Sequence, residues 1–167
     1  KVASSPLRDA LLLALWTGQR EGDLLRLGWS NYDGSWITLR QSKTGRRVRI
    51  HVAAKLRERL DAMRADASAA TVLTNTRGQP WTEDGFRASW GAASRAAGIV
   101  DLHFHDLRGS AVSRLADAGA TEAEIAAITG HSLGRVSHIL DGYLHRSERL
   151  AKNAITKLEK NQRRSKL

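Results

Sequence analysis

Trp36-Ile37-Thr38-Leu39-Arg40-Gln41-Ser42-Lys43-Thr44-Gly45-Arg46-Arg47-Val48-Arg49-Ile50-His51-Val52 is the one part of the chain with strand character on both sides of a turn. Aromatic and β-branched residues fill 36–39 and 48–52. Ser42 to Gly45 between them carries a glycine at the tip, so the spacing predicts a two-stranded antiparallel hairpin. Val72-Leu73-Thr74 is a candidate for one more short strand.

Away from the hairpin the pattern turns helical. Ser5-Pro6 reads as a cap and a first-turn proline, followed by an apolar stripe of Leu7, Ala10, Leu11, Ala14 and Leu15 that Gly18 stops. Glu21–Leu27 is a second short helix. Ala53–Ala67 is a third, with Leu56, Leu60 and Met63 on one face. Thr82 caps a helix running to about Ala97. Asp106–Ala118, Glu122–Thr129 and Leu133–Leu140 follow, the first two stopped by Gly119 and Gly130, and a last helix covers about Arg146 to Lys160. The expected fold class is α+β, mostly α-helical with a small antiparallel β-sheet. One domain is expected over residues 1–160, with a basic, frayed tail at 161–167.

The 167 residues are 41% hydrophobic and 26% charged, enough to bury a core. With no cysteine there is no disulfide framework, no thiolate zinc site and no thiol nucleophile. No apolar run approaches the roughly 20 residues of a bilayer span, so no membrane partner is expected. The net charge of +10 points to a polyanion. It is concentrated: residues 40–64 carry nine Lys/Arg against two acids and residues 143–167 eight against two, while residues 65–142 are net acidic. Two solvated faces would account for such blocks, but clustered Lys and Arg are what phosphate contacts need, and a nucleic acid is the expected partner.

Several residues have chemistry to offer. In His105-Asp106-Leu107-Arg108 a spacing of three puts His105 and Arg108 on one face at a helix start, where anions are favoured and Arg supplies a forked donor; surface capping is the plainer reading. Arg20, in the loop after Gly18, needs an acid or an anion, and Asp23 could be that acid through a simple salt bridge. His131 follows a glycine helix stop and is unremarkable by itself. Lys43 at a hairpin turn is ordinarily a solvated edge residue. Of the two tyrosines, Tyr32 lies in a segment that reads as packing. Tyr143 is flanked by His138, His145 and Arg146, where positive charge favours the phenolate a nucleophile needs; a half-buried helix anchor is the alternative.

Taken in order, Thr17-Gly18-Gln19-Arg20-Glu21-Gly22-Asp23-Leu24-Leu25, Lys43, His105-Asp106-Leu107-Arg108, Thr129-Gly130-His131-Ser132 and Tyr143 resemble the catalytic domain of the tyrosine recombinases (phage integrases) over nearly the whole chain. Ile139-Leu140-Asp141 ahead of the tyrosine is similar to a segment seen in integrases. Gln19 stands where that family usually has an apolar residue. The resemblance implies a site-specific recombinase that cuts and rejoins DNA without metal or cofactor, through a 3′-phosphotyrosyl link. Tyr143 would be the nucleophile and Arg20 and Arg108 the clamp on the nonbridging oxygens. His131 would add a hydrogen bond to the phosphate, and His105 would take the phenolic proton. Lys43, on a mobile hairpin, would protonate the leaving 5′-oxygen, while Asp23 would orient Arg20 from behind. Arg40, Arg46, Arg47 and Arg49 would track the DNA backbone. The resemblance further implies tetrameric self-association on DNA, with the C-terminal helix docking on a neighbour. The expected setting is a bacterial cytoplasm and a prophage or mobile element, with the family's N-terminal core-binding domain lying outside this chain.

Two other readings compete. Residues 121–140 resemble a helix-turn-helix DNA reader, with Val136 and Leu140 packing inward, but that leaves Arg20, Lys43 and Tyr143 without a purpose. A metal hydrolase on His103, His105 and His131 lacks the usual ligand spacing and would set Arg108 beside a cation. Type IB topoisomerases share the recombinase chemistry and are the nearest related enzymes.

Overall fold

The computed structural model describes residues 3–144 and 148–164, without the side chains of 143, 144, 148–150, 153, 160 and 162–164. Eight helices and one hairpin are present among these residues. In order they are α1 (Ser5–Thr17), α2 (Glu21–Leu25), β1 (Trp36–Arg40), β2 (Arg47–His51), α3 (Ala54–Ala65), α4 (Glu83–Ala96), α5 (Leu107–Asp117), α6 (Glu122–Thr129), α7 (Leu133–Leu144) and α8 (Glu148–Arg164). The fold is mostly helical with a two-stranded antiparallel sheet, as expected. β1 and β2 pair in the register Trp36 opposite His51 through Arg40 opposite Arg47. Alternation along both strands buries Ile37, Leu39, Val48 and Ile50 on one face.

The main core gathers α1, α2, the hairpin and α3 around Leu13, Leu24, Leu27, Ile37, Ile50 and Leu60. A second cluster, Val112, Ala116, Ile125, Val136 and Leu140, closes the α5–α6–α7 corner, and Val136 and Leu140 do turn inward. Phe104 links the main core to the start of α5. It meets Phe86 and Trp90 edge-on, with ring centroids 4.8 and 5.0 Å away. Each such contact is worth about 0.5–1.5 kcal/mol beyond its buried area, which fixes the backbone next to His105.

Helix ends follow local chemistry. Thr82 accepts from the Gly85 amide at the start of α4, and Thr121 with Glu124 forms a reciprocal capping box on α6. Gly18 and Gly130 end α1 and α6 in the left-handed region, at φ 62° and 70°.

Several expectations change, among them the second and third helices, which end at Leu25 and Ala65 rather than at Leu27 and Ala67. Ser4, rather than Ser5, is the N-cap of α1, and the buried stripe is Leu7, Ala10, Leu13, Ala14 and Thr17. Thr71 and Thr74 make only isolated bridges, to Gly28 and Pro80, so residues 72–74 form no strand: the ladder has no continuous partner there. The expected helix Asp106–Ala118 starts as a separate 3-10 turn, Phe104–Asp106, before α5. α7 runs past Leu140 to Leu144 and takes in the backbone of Tyr143. α8 reaches Arg164, so residues 161–164 of the expected frayed tail are helical.

Candidate active site: two arginines and a neutral histidine

Arg108 lies in the first turn of α5 and is 3% exposed. α1 packs across α5, which brings the left-handed Gly18 against it, and Arg108 Nη1 donates to the Gly18 carbonyl. Its Nε donates to His131 Nε2 at 2.9 Å. Its Nη2 is buried without a hydrogen-bond partner among the described residues. Burial and the neighbouring charge of Arg20 pull its pKa down to about 10.

Arg20 caps α2 and faces the same place. Its Nη1 is buried without a hydrogen-bond partner among the described residues, and Asp23 Oδ2 stands 3.9 Å away, too far for a hydrogen bond. The expected orientation of Arg20 by Asp23 is thus a loose ion pair. Asp23 spends its other oxygen on the hairpin, where Oδ1 accepts from the Ser42 amide at 2.9 Å and the Ser42 hydroxyl at 2.8 Å. Glu21 is occupied outside the pair, accepting from Arg87 Nε at 2.9 Å.

His131 follows the α6 stop. The Thr129 hydroxyl donates to the Ile125 carbonyl at 2.7 Å, so it accepts from His131 Nδ1 at 3.0 Å. The proton therefore sits on Nδ1 and the Nε2 lone pair receives Arg108. Burial, then Arg108 and Arg20, press its pKa down to about 4, and the ring is neutral at neutral pH. In this arrangement His131 has no free proton to give and instead holds Arg108.

His105 is exposed in the 3-10 turn, while Arg108 three residues later, in the first turn of α5, is buried. His105 is still near enough for its charge to act on His131. Together with Arg20 it lines a groove along α4 floored by Trp90, Leu102 and Phe104. Lys43 is exposed in the hairpin turn. Tyr143 rides on α7, and its side chain lies outside the described residues.

The hairpin is tied down rather than loose. Gln41, fully buried, donates through Nε2 to Gln19 Oε1 at 2.7 Å and to the Thr129 carbonyl at 2.8 Å, while its Oε1 accepts from Thr44. Gln19 in turn donates to the carbonyls of Thr17 and Ile128. Sequence reasoning marked Gln19 only as unusual and passed over Gln41. Both glutamines sit among polar neighbours in the sequence, so nothing local marked them as buried.

The four arginines expected on DNA divide. Arg46 Nη1 donates to the His131 carbonyl at 2.7 Å, bracing that loop. Arg40 Nε donates to the Gly45 carbonyl at 3.0 Å across the turn. Arg49 stacks on Trp36, 4.7 Å from the ring centroid, and pairs loosely with Asp33. Arg47 is exposed beside them. Among the described residues no cluster of three or more His, Asp or Glu could hold a metal ion, and no helix is long and apolar enough to cross a membrane.

Known proteins share this sequence pattern and fold. The phage integrase family model matches residues 1–149. A shufflon-specific DNA recombinase of Escherichia coli is 33% identical over 136 residues, covering 80% of this chain and 33% of the relative. A lambda integrase (75–356) dimer bound to a COC′ core site superposes with a TM-score of 0.72 and 27% identity, over 83% of this chain and 54% of that one. A lambda integrase tetramer bound to a Holliday junction gives 0.67 and 28%, over 79% and 42%. The chain spans about a third of the length of the curated relatives it matches.

Proposed function

The chain belongs to the phage integrase family, and from that premise we propose that it is the catalytic domain of a site-specific DNA recombinase working through a 3′-phosphotyrosyl intermediate. The Tyr143 phenol oxygen attacks a backbone phosphorus and the bond to the 5′-oxygen breaks. The phenolic proton passes to His105, and Lys43 protonates the departing oxygen. Rejoining reverses these steps with another strand's 5′-hydroxyl, and since the phosphotyrosyl bond conserves the energy of the broken one, no nucleotide cofactor is needed.

The observation that carries this reading is the arginine pair. Two like charges stand together with Arg20 Nη1 and Arg108 Nη2 buried and without a hydrogen-bond partner among the described residues, an arrangement that costs free energy unless an anion joins them. A phosphodiester supplies two nonbridging oxygens there, and its charge grows as the pentacoordinate transition state forms, where each preorganised donor contributes about 3–4 kcal/mol. His131 serves the clamp by fixing the plane of the Arg108 guanidinium.

Double-stranded DNA is the substrate on this reading. Assembly follows the dimer and tetramer of the lambda integrase relatives, with α8 as the docking helix, its Ile155 and Leu158 being more than half exposed. The setting is the bacterial cytoplasm, on DNA of a prophage or mobile element, by likeness to the phage and bacterial relatives.

The test is to incubate the chain at low ionic strength with nicked duplexes of randomised sequence and capture protease-sensitive covalent adducts under denaturing conditions. Wild type yields adducts whose sequencing reads out the target. Tyr143→Phe yields none yet still shifts DNA in a gel. A Tyr143→Phe protein that forms adducts as well as wild type refutes the assignment.

A further inference from the structure

We infer that Gln19 and Gln41 are positioning residues that hold Lys43 at a fixed place relative to the Arg20–Arg108 pair, by a buried amide link between the hairpin turn and the loop carrying Arg20. The inference rests on the role given to Lys43 above.

The geometry is specific. Gln19 immediately precedes Arg20, and Gln41 lies two residues before Lys43. Their side-chain amides meet at 2.7 Å, both almost wholly buried. The second Gln41 donation, to the Thr129 carbonyl, extends the link to the loop that carries His131. Each neighbour of Lys43 is held as well. Ser42 is bound by Asp23 through backbone and side chain, and Thr44 donates to Gln41 Oε1 at 2.9 Å. Lys43 thus stands on a turn whose other side chains point back into the protein. A long, flexible lysine gains from such a base, because an acid acts only within hydrogen-bond reach of its target. Gly130 leaves room for this: a Cβ there would stand 2.5 Å from Gln41 Nε2.

Removing the link loosens Lys43 without deleting any hydrogen bond made by the Arg108 or His131 side chain, so the defect falls chiefly on leaving-group protonation. A 5′-sulfur in place of the 5′-oxygen exposes that, since a thiolate leaves without a proton. A duplex captured with wild type is made in both forms. Lys43→Ala is expected to lose about 100-fold in cleavage rate on oxygen and little on sulfur. Gln41→Met and, independently, Gln19→Met are expected to lose about 10-fold on oxygen with near wild-type rates on sulfur. Two variants guard against one failing to fold, which a thermal melt reveals. Amide exchange at Ser42 and Gly45 should also quicken in both. Equal loss on the two substrates, no loss on either, or unchanged exchange overturns the inference. No wild-type adduct with either substrate overturns the recombinase reading itself, and this inference with it.

Discussion

Arg108 Nε donates to His131 Nε2 at 2.9 Å, and that bond occupies the ring nitrogen that would otherwise take a second proton. A ring that accepts at Nε2 and donates at Nδ1 to Thr129 has no site left for a second proton without expelling Arg108.

Stability should therefore depend on pH with a known sign. The His131 pKa falls from 6.5 to about 4 on folding, so between these values the unfolded chain binds a proton the folded chain refuses. Stability attributable to His131 is complete above about 6.5 and is lost as pH falls toward 4. The loss is about 1–2 kcal/mol once screening at a half-exposed ring is allowed for. Urea denaturation of wild type and His131→Gln across this range checks it. Identical slopes for the two proteins would remove His131 as the cause.

The two arginines should separate stability from activity. Arg20→Gln removes a repulsive charge and only a 3.9 Å ion pair, so the melting temperature should hold or rise by about 1–3 °C while adduct formation drops about 100-fold or more. Arg108→Gln should lower both, because Gly18 and His131 lose their donor. Thermal melts beside a cleavage assay decide, and a lower melting temperature for Arg20→Gln would contradict the account.

Arg46 and Arg47 adjoin in sequence and should behave differently on DNA. Arg47→Ala should flatten the plot of log affinity against log salt by about one unit. Arg46→Ala should leave that slope nearly unchanged and instead cost about 1 kcal/mol of stability, since its guanidinium serves the His131 carbonyl. Gel-shift titrations at several salt concentrations test both, against an expected weak, steeply salt-dependent wild type.

Glycine replacements provide a fourth check. Gly130→Ala meets Gln41 at 2.5 Å in a left-handed conformation and should cost about 2–4 kcal/mol. Gly134→Ala, in helical α7 with nothing within 4 Å of its Cβ, should stabilise by about 0.5–1 kcal/mol. Denaturation midpoints that do not diverge in this way would show the Gln41 contact to be soft.

Local chemistry made most of the architecture legible. Gly18 and Gly130 stop helices because only glycine takes those backbone angles cheaply, and the alternation in 36–52 reports a half-buried hairpin directly. Arg20, Arg108 and His131 could be named from motif order, and they do converge. What stayed hidden depends on partners distant in sequence. Gln41 finds Gln19 and Thr129, Arg46 finds the His131 loop, and Ser42 takes Asp23 from Arg20. The exposure of His105 against the burial of Arg108 could not be read from their spacing. The reach of α7 to Leu144 runs through Gly142, a residue that reads locally as a stop.

The glycine ends of α1 and α6 also bear on how two cations are tolerated so close together. Each is the carbonyl-rich, partly negative pole of a helix macrodipole, and Arg108 bonds directly to the Gly18 carbonyl at one of them. The backbone thereby acts as a diffuse counterion fixed in place by the fold. It is too weak to neutralise a guanidinium group, and so leaves Arg108 ready for a tighter anion.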